Sequence, residues 1–526
     1  MRLPLAMMAI LVSGCGSSDA SPPPPNDNAG GAGQGGAPAG PAGKGGSAGT
    51  PAAGKGGSAG KSGASGGAGK GAAAGSAGSG GASAGAAGKG GAAGKAGSGV
   101  GGAAGANAGA AGANAGAAGA NAGAAGAGST PTVILPKSSL DASELAVLVN
   151  TDDPQSVAVG EHYRVARGVP SAHVIKLALG AGLGTTISES VFSGWKAKID
   201  AAVDGSIQAY AVTWTSPSVV DCMSLTSALA FGFDKKWCNT QGGCGTTAQS
   251  PYFDSASATP FTTHMVRPAM VLPGVSADKA IALIDRGVSA DGTFPVGDGW
   301  LLRTSDSARS VRYPQFMQEI AAWNHPEGLQ LTYLDSSAGG TDFISGKNDV
   351  LFYLTGLADV PMITTNTYRP GAVADHLTSY GGQIPNSGQM SILRWIEAGA
   401  TASFGTVVEP CNFTTKFPDA TVLLPHYYRG ETVLEAYWKS VAWPGEGLFV
   451  GEPLARPWGT KTSFAGGTLT LMTTTLVPGA SYAIESAPAA AGPWAQVQSG
   501  ITIAYHQPKT LTVANATAAF YRLVKM

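Results

Sequence analysis

Residues 144–170, ELAVLVNTDDPQSVAVGEHYRVARGVP, decide how the folded part of this chain is read. Leu145 to Val149 are apolar without a break. That suits a strand covered on both faces, since a strand with one wet face would alternate apolar and polar side chains. Asp152, Asp153 and Pro154 then open a helix carrying Val157, Val159, Tyr163 and Val165, which Gly168, Val169 and Pro170 close. Working outward, the same rhythm recurs. HVIKL (173–177) reads as the next strand, 187–203 as a helix with Ser188 placed to cap it, and IQAYAVTW (207–214) as a third strand. WLLRT (300–304), LQLTYLD (329–335) and VLFYLTG (350–356) continue the series. Two later segments are predicted helices: QMSILRWIEAG (389–399), with Met390, Leu393 and Ile396 on one face, and GETVLEAYWKSV (430–441), with Val433, Tyr437 and Val441. The predicted class over 132–458 is α/β, a mostly parallel sheet flanked by helices and long enough to bury one large core.

Upstream, the composition changes completely. The chain has 526 residues and 79 glycines, and most of those glycines fall between Gly30 and Gly128. A segment with almost no aromatic or branched side chain cannot offset the entropy of ordering itself, so 15–131 is expected to be a disordered linker. At roughly 5–6 Å times the square root of its length, about a hundred such residues span on the order of 50–60 Å. GASAG (81–85) and GKS (60–62) imitate a nucleophile elbow and half a phosphate loop, but neither has the strand and helix the chemistry needs. Ahead of the linker, MRLPLAMMAILVSG (1–14) has one Arg and a short apolar core, too short to span a bilayer and suited to an export signal. Val12, Ser13, Gly14 and Cys15 resemble the bacterial lipobox. That resemblance implies acylation of Cys15, with palmitate-like chains holding the protein to a membrane. The expected location is the cell envelope, lipid-anchored at the outer membrane or cell surface. A formal charge of −1, with export, disfavours a nucleic-acid partner; an envelope polymer or a protein is the expected partner besides lipid.

Downstream of 458, TLTLMTTTL, SYAIESA, WAQVQSG and AAFYRLVKM are short alternating strands, which predict a small all-β sandwich over 459–526. Trp494 and Tyr521 are expected in its core. The order SYAIESA, GPWAQV, FYRL resembles fibronectin type III-like modules, which implies a spacer or docking role.

Chemistry is sought where strands end, because an open parallel sheet gathers its ligand crevice at the strands' carboxyl ends. The residues there are Asp152, Asp153, Asp221, Cys222, Arg303, Asp306, Asp335, Asp375, His376, Glu409 and Cys411. Asp152, Asp306, Asp375 and Glu409 are candidate ligand-binding carboxylates, with turn and helix capping as the competing role. His376 with Cys411 is a candidate nucleophile pair, and Ser379 with His376 a second, the glycines of YGG (380–382) offering backbone amides to an oxyanion or to a bound anion. Cys222, Cys238, Cys244 and Cys411 are also disulfide candidates in an exported chain. WCNTQGGC (237–244) favours a local Cys238–Cys244 bridge, with Cys411 to Cys222 as one other pairing. A zinc site is the alternative use of these cysteines, but no CxxC or HxxxH spacing argues for a metal, and the sequence leaves any cofactor unknown.

The layout from Glu144 to Pro457 resembles the caspase and gingipain superfamily of cysteine peptidases. GATASFGTV (399–407), GETVLEAYWKSV and LFVGEPLARP (448–457) follow the order of its Gly-Ala strand, helix and closing turn. That resemblance implies a His after one parallel strand and a Cys after the next. Here Thr378 and Ser379 occupy the slot before the Gly-Ala strand where the thiol belongs, and Cys411 follows that strand instead. ADHLTSYGG, TVVEPCNFTTKFP and FVGEPLA together resemble a bacterial family of exported proteins without an assigned activity. Three functions stay open: ligand or partner binding at the strand-end crevice, peptidase-like hydrolysis around His376, and a structural role in the envelope.

Overall fold

The computed structural model describes residues 130–239 and 244–526. The signal segment, Cys15 and the linker up to residue 129 therefore lie outside the described residues.

Strand β1 (Leu145–Asn150) is buried at all six positions, as its unbroken apolar run requires. Its parallel neighbours are β2 (Val174–Leu177) and β3 (Ala209–Val212). Successive side chains alternate across the sheet. Val147 and Val149 therefore join helix α1 (Pro154–Arg167) through Val159 and Tyr163 on one face. Ala146 and Leu148 join α2 (Glu189–Ala202) through Phe192, Trp195 and Ile199 on the other. Asp153 caps α1 by accepting the Gln155 N–H, and Gly168 ends it at φ 65°, a left-handed conformation that glycine adopts without strain.

The chain continues through α3 (Leu225–Phe231), α4 (Pro260–His264), β4 (Ala269–Val271), α5 (Ala277–Ala290), β5 (Gly297–Arg303), α6 (Tyr313–Ala322), β6 (Leu329–Asp335), β7 (Val350–Thr355) and β8 (Tyr368–His376). It ends the sheet with α7 (Leu393–Ala398), β9 (Ala402–Thr406), α8 (Ala420–Tyr428), α9 (Val433–Ser440) and β10 (Gly447–Gly451). The ten strands lie in the order β6-β5-β7-β8-β9-β10-β4-β3-β1-β2.

This order contains one pattern twice. β5 to β9 are mutually parallel and arranged second, first, third, fourth, fifth. Read from the opposite edge, β1 to β4 followed by β10 repeat that arrangement. The two parallel halves meet at β9 and β10, which pair antiparallel from Ala402↔Gly451 to Thr406↔Gly447. The cause is the connection. A crossover that carries the chain back to the end where the previous strand began, by helices or by a loop, gives a parallel strand. Between β9 and β10 the chain instead packs two helices, α8 and α9, against each other and re-enters at the end it left.

One consequence corrects the sequence reading. The carboxyl ends of β1, β3 and β4 lie at one end of the sheet and those of β5 to β9 at the other, so the polar residues after the strands do not share a single crevice. A second correction concerns QMSILRWIEAG, which is helical only from Leu393 to Ala398. Met390 donates its N–H to the Ala358 carbonyl and its own carbonyl contacts His376, so its backbone groups are committed outside the helix.

After Trp458, strands β11 (Lys461–Ala465), β12 (Thr468–Thr473), β13 (Tyr482–Ala487), β14 (Ala495–Ile501), β15 (Lys509–Val513) and β16 (Phe520–Lys525) form two small sheets. Leu469, Leu471, Ile484, Ile501, Leu511 and Leu523 share one core between them. Tyr521 joins that core, whereas Trp494 is half-buried with the Arg522 guanidinium 4.3 Å from its ring centroid; core packing was expected of both. Thr132–Ile134 pairs with β16 and not with the central sheet. Among the described residues, no helix is long and apolar enough to cross a membrane.

Candidate functional site

Strand β8 delivers the acid and the imidazole singled out in the sequence, and the period-two geometry of a strand sends them to opposite faces. Asp375 enters the core beside α6 and α9. Its Oδ1 lies 2.7 Å from Arg312 Nη2, both side chains being 1% exposed, and the Tyr437 hydroxyl donates to its Oδ2 at 3.4 Å. Arg312 also donates to the Thr355 carbonyl at 2.6 Å. Burial pushes the Asp375 carboxyl up, against the lowering pull of Arg312. This is a buried structural ion pair and no ligand reaches it.

His376 points the other way and is also 1% exposed. Trp395 Nε1–H donates to its Nδ1 at 2.9 Å. The proton therefore sits on Nε2, which donates to the Met390 carbonyl at 3.1 Å. Burial lowers its pKa to about 3. With both nitrogens engaged inside the core, the ring has no lone pair with which to activate a nucleophile.

Cys411 is bonded to Cys244, and Cys222 to Cys238, with Cα separations of 5.4 and 5.7 Å. The expected Cys238–Cys244 bridge and the Cys222–Cys411 alternative are both replaced by these pairs. A disulfide sulfur is neither a thiolate nor one in waiting, so the His376–Cys411 pair fails on both members. Ser379 is half-buried and loses its base for the same reason. The amides of YGG are largely engaged: Tyr380 N–H donates to Gln389 Oε1, and Gly382 N–H to the Thr406 carbonyl. Gly382 serves close packing instead, since a Cβ there would stand 2.3 Å from the Gly405 carbonyl oxygen.

What the β8 loop does build is a cleft. Past Gly382 it lies along the end of β9, where Gln383 Nε2 donates to the Val407 carbonyl at 2.8 Å. Together with the segment after β3 it encloses an open cavity of about 630 Å³ lined by Asp221, Phe233, Lys235, Tyr380, Gln383 and Glu409, among others. Its walls are cross-linked. The Cys222–Cys238 bond closes the lobe that carries Phe233 and Lys235, and Cys244–Cys411 ties the chain beyond that lobe to the loop of Glu409. Glu409 is aimed by accepting the Cys411 N–H at 2.8 Å. Asn239, also on the wall, donates its N–H to Glu446, whose other oxygen holds Lys416 at 2.7 Å in a fully buried pair.

Of the carboxylates chosen from the sequence, only Glu409 lines this cleft, joined by Asp221 and the bonded Cys222 from the wider set of strand-end residues. Asp152 borders a separate cavity at the other end of the sheet. Asp306 is paired with Arg309 at 2.8 Å and accepts the N–H groups of Ala308 and Arg309, a turn-forming role. Tyr380, Gln383, Phe233 and Lys235 were not selected. Tyr380 lies inside the YGG motif, but Gln383 and Phe233 sit in loops and Lys235 in a single 3-10 turn, all without a chemical signature. Among the described residues, no group of three or more His, Cys, Asp or Glu could hold a metal ion. The open cavity thus brings together two aromatic rings, both signs of charge and two side-chain amides. Compared with protein-family models, curated proteins and solved structures, the chain matches none.

Proposed function

We propose that this chain is an exported, lipid-anchored envelope protein whose α/β domain binds a ligand or partner in the Tyr380–Glu409 cleft. The observation that carries the reading is a contrast between neighbours: His376 is taken up by core packing and Cys411 by a disulfide, while Tyr380 and Gln383 wall an open cavity. Anchoring rests on the lipobox-like VSGC and the glycine-rich linker behind it. A caspase-like ancestry of the α/β domain belongs to the same proposal, supported by the motif order from Gly399 to Pro457, and so does a fibronectin type III-like docking role for 459–526.

The test uses the full-length chain and purified envelope polymers, peptidoglycan and lipopolysaccharide separately, in a co-sedimentation assay. Replacing Tyr380 with Ala and Glu409 with Gln together removes an aromatic contact and a charge, worth roughly 1–2 kcal/mol or about tenfold in affinity. Retention on one polymer is expected to fall by that factor with unchanged thermal unfolding. Equal retention of variant and parent on a polymer that binds the parent would exclude the cleft.

A further inference from the structure

The loop after β8 walls more than the Tyr380–Glu409 cleft. The Tyr380 carbonyl accepts the Ser387 hydroxyl at 2.7 Å and its N–H donates to Gln389 Oε1 at 3.0 Å, so the loop doubles back on itself. From Pro385 to Ser391 it walls a second open cavity, of about 470 Å³, together with Asp359 and Arg394. Two open cavities on one short loop suit a chain that passes from one to the other better than a compact molecule enclosed in either.

The groups left over in the two walls narrow the class of chain. In the first, Glu409 Oε1 is spent on the Cys411 N–H, Asp221 Oδ2 on the Glu189 N–H at 3.0 Å and Gln383 Nε2 on the Val407 carbonyl. That leaves an oxygen of each carboxylate, the Gln383 carbonyl, the Tyr380 hydroxyl and the Lys235 ammonium, which forms no ion pair among the described residues, beside the half-buried rings of Phe233 and Tyr380. In the second, Arg394 is paired with Glu397 at 2.8 Å, whereas the exposed side chains of Asp359 and Asn386 make no hydrogen bond or ion pair among the described residues. Ring faces next to a mixture of donors and acceptors fit a saccharide, whose C–H face lies on an aromatic ring while its hydroxyls both donate and accept. Asp221 and Glu409 outnumber Lys235, and Asp359 faces an arginine already neutralised, so both walls disfavour a polyanion. An extended peptide fits less well, because no lining residue of either cavity lies in a strand that could pair with its backbone.

Resting on the binding reading of the Tyr380–Glu409 cleft, we propose that the ligand there is an uncharged polysaccharide chain and that the Asp359–Asn386 cavity is a second subsite for the same chain. Isothermal titration of the full-length chain with β-1,4-linked N-acetylglucosamine oligomers, from the single sugar to the hexasaccharide, tests it. Affinity is expected to rise about tenfold or more from disaccharide to hexasaccharide, as one chain fills both subsites. Asp359→Ala/Asn386→Ala is expected to weaken the hexasaccharide about tenfold while leaving the disaccharide and thermal unfolding unchanged, and Tyr380→Ala to weaken both oligomers. Equal affinity at every length, or a hexasaccharide indifferent to Asp359 and Asn386, would overturn the second subsite, and a loss in Tyr380→Ala would show that the cleft reading stands without it. Tighter binding of hexagalacturonate or of N-acetyl-hexaserine amide than of the hexasaccharide, or no saturable binding of any oligomer, would overturn the assignment to an uncharged saccharide. Retention on an envelope polymer that still depends on Tyr380 and Glu409 would then separate that failure from a failure of the cleft itself.

Discussion

Replacing Asp375 with Ala is expected to lower the free energy of unfolding by about 3–5 kcal/mol, because it leaves the Arg312 guanidinium buried without its counter-ion. Arg312 is 1% exposed and keeps the carbonyls of Thr355 and Pro418 and the Phe316 ring, whose centroid is 5.4 Å away, none of which carries a negative charge. Arg312→Met should cost less, since Asp375, already pushed up by burial, can take a proton and stop being charged. Replacing both, as Arg312→Met with Asp375→Ala, should cost less than Asp375→Ala alone, the coupling expected of two groups that serve mainly to neutralise each other. Urea unfolding of the four proteins checks this. Additive losses would mean that the two side chains act independently, and a harmless Asp375→Ala would mean that the pair is not buried as described.

Acid is the second large effect, and it acts through His376. Its folded pKa of about 3 lies well below the unfolded value near 6.5. The unfolded chain therefore binds a proton that the folded chain refuses throughout the window between those values. The sign follows: the stability associated with the neutral ring is fully present above about pH 6.5 and is lost as pH falls toward 3, at about 1.4 kcal/mol per pH unit. Over the whole window that amounts to roughly 4–5 kcal/mol. Carboxylates titrate in the same range, so the measurement is a difference. His376→Asn, whose carbonyl can still accept from Trp395, should unfold with a shallower dependence on pH, the gap between the two curves closing as pH falls from 6.5. Parallel curves would place the imidazole in contact with solvent.

The fold was legible where burial alone decides the pattern. LAVLV and VLFYL, which open two of the strands, carry no charged or strongly polar side chain because both faces of the sheet are covered, and the structure buries every residue of each strand. The reversal between β9 and β10 was not legible, because an apolar run reads the same in either direction and the turn back depends on how α8 and α9 pack. At the site, one signal was available and not used. Asp375 and His376 are adjacent in an extended segment, so their side chains must diverge, and a shared site for both was excluded before any coordinates. Disulfide partners were out of reach, since four cysteines allow three pairings and nothing local to WCNTQGGC brings Cys411 near. Gln383 and Phe233 carry no signal of their own; they face a cavity because Gly382 lets one loop press against β9 and a disulfide folds back the other.

Ligand recognition in place of chemistry at the end of β9 rests on Cys411 being held in a bond. Non-reducing digestion of the full-length protein, after alkylation with iodoacetamide and analysed by mass spectrometry, is predicted to give a peptide pair joined through Cys244 and Cys411, with neither cysteine alkylated. Stoichiometric alkylation of Cys411 that disappears in His376→Ala would contradict the account and restore a thiol nucleophile with its base.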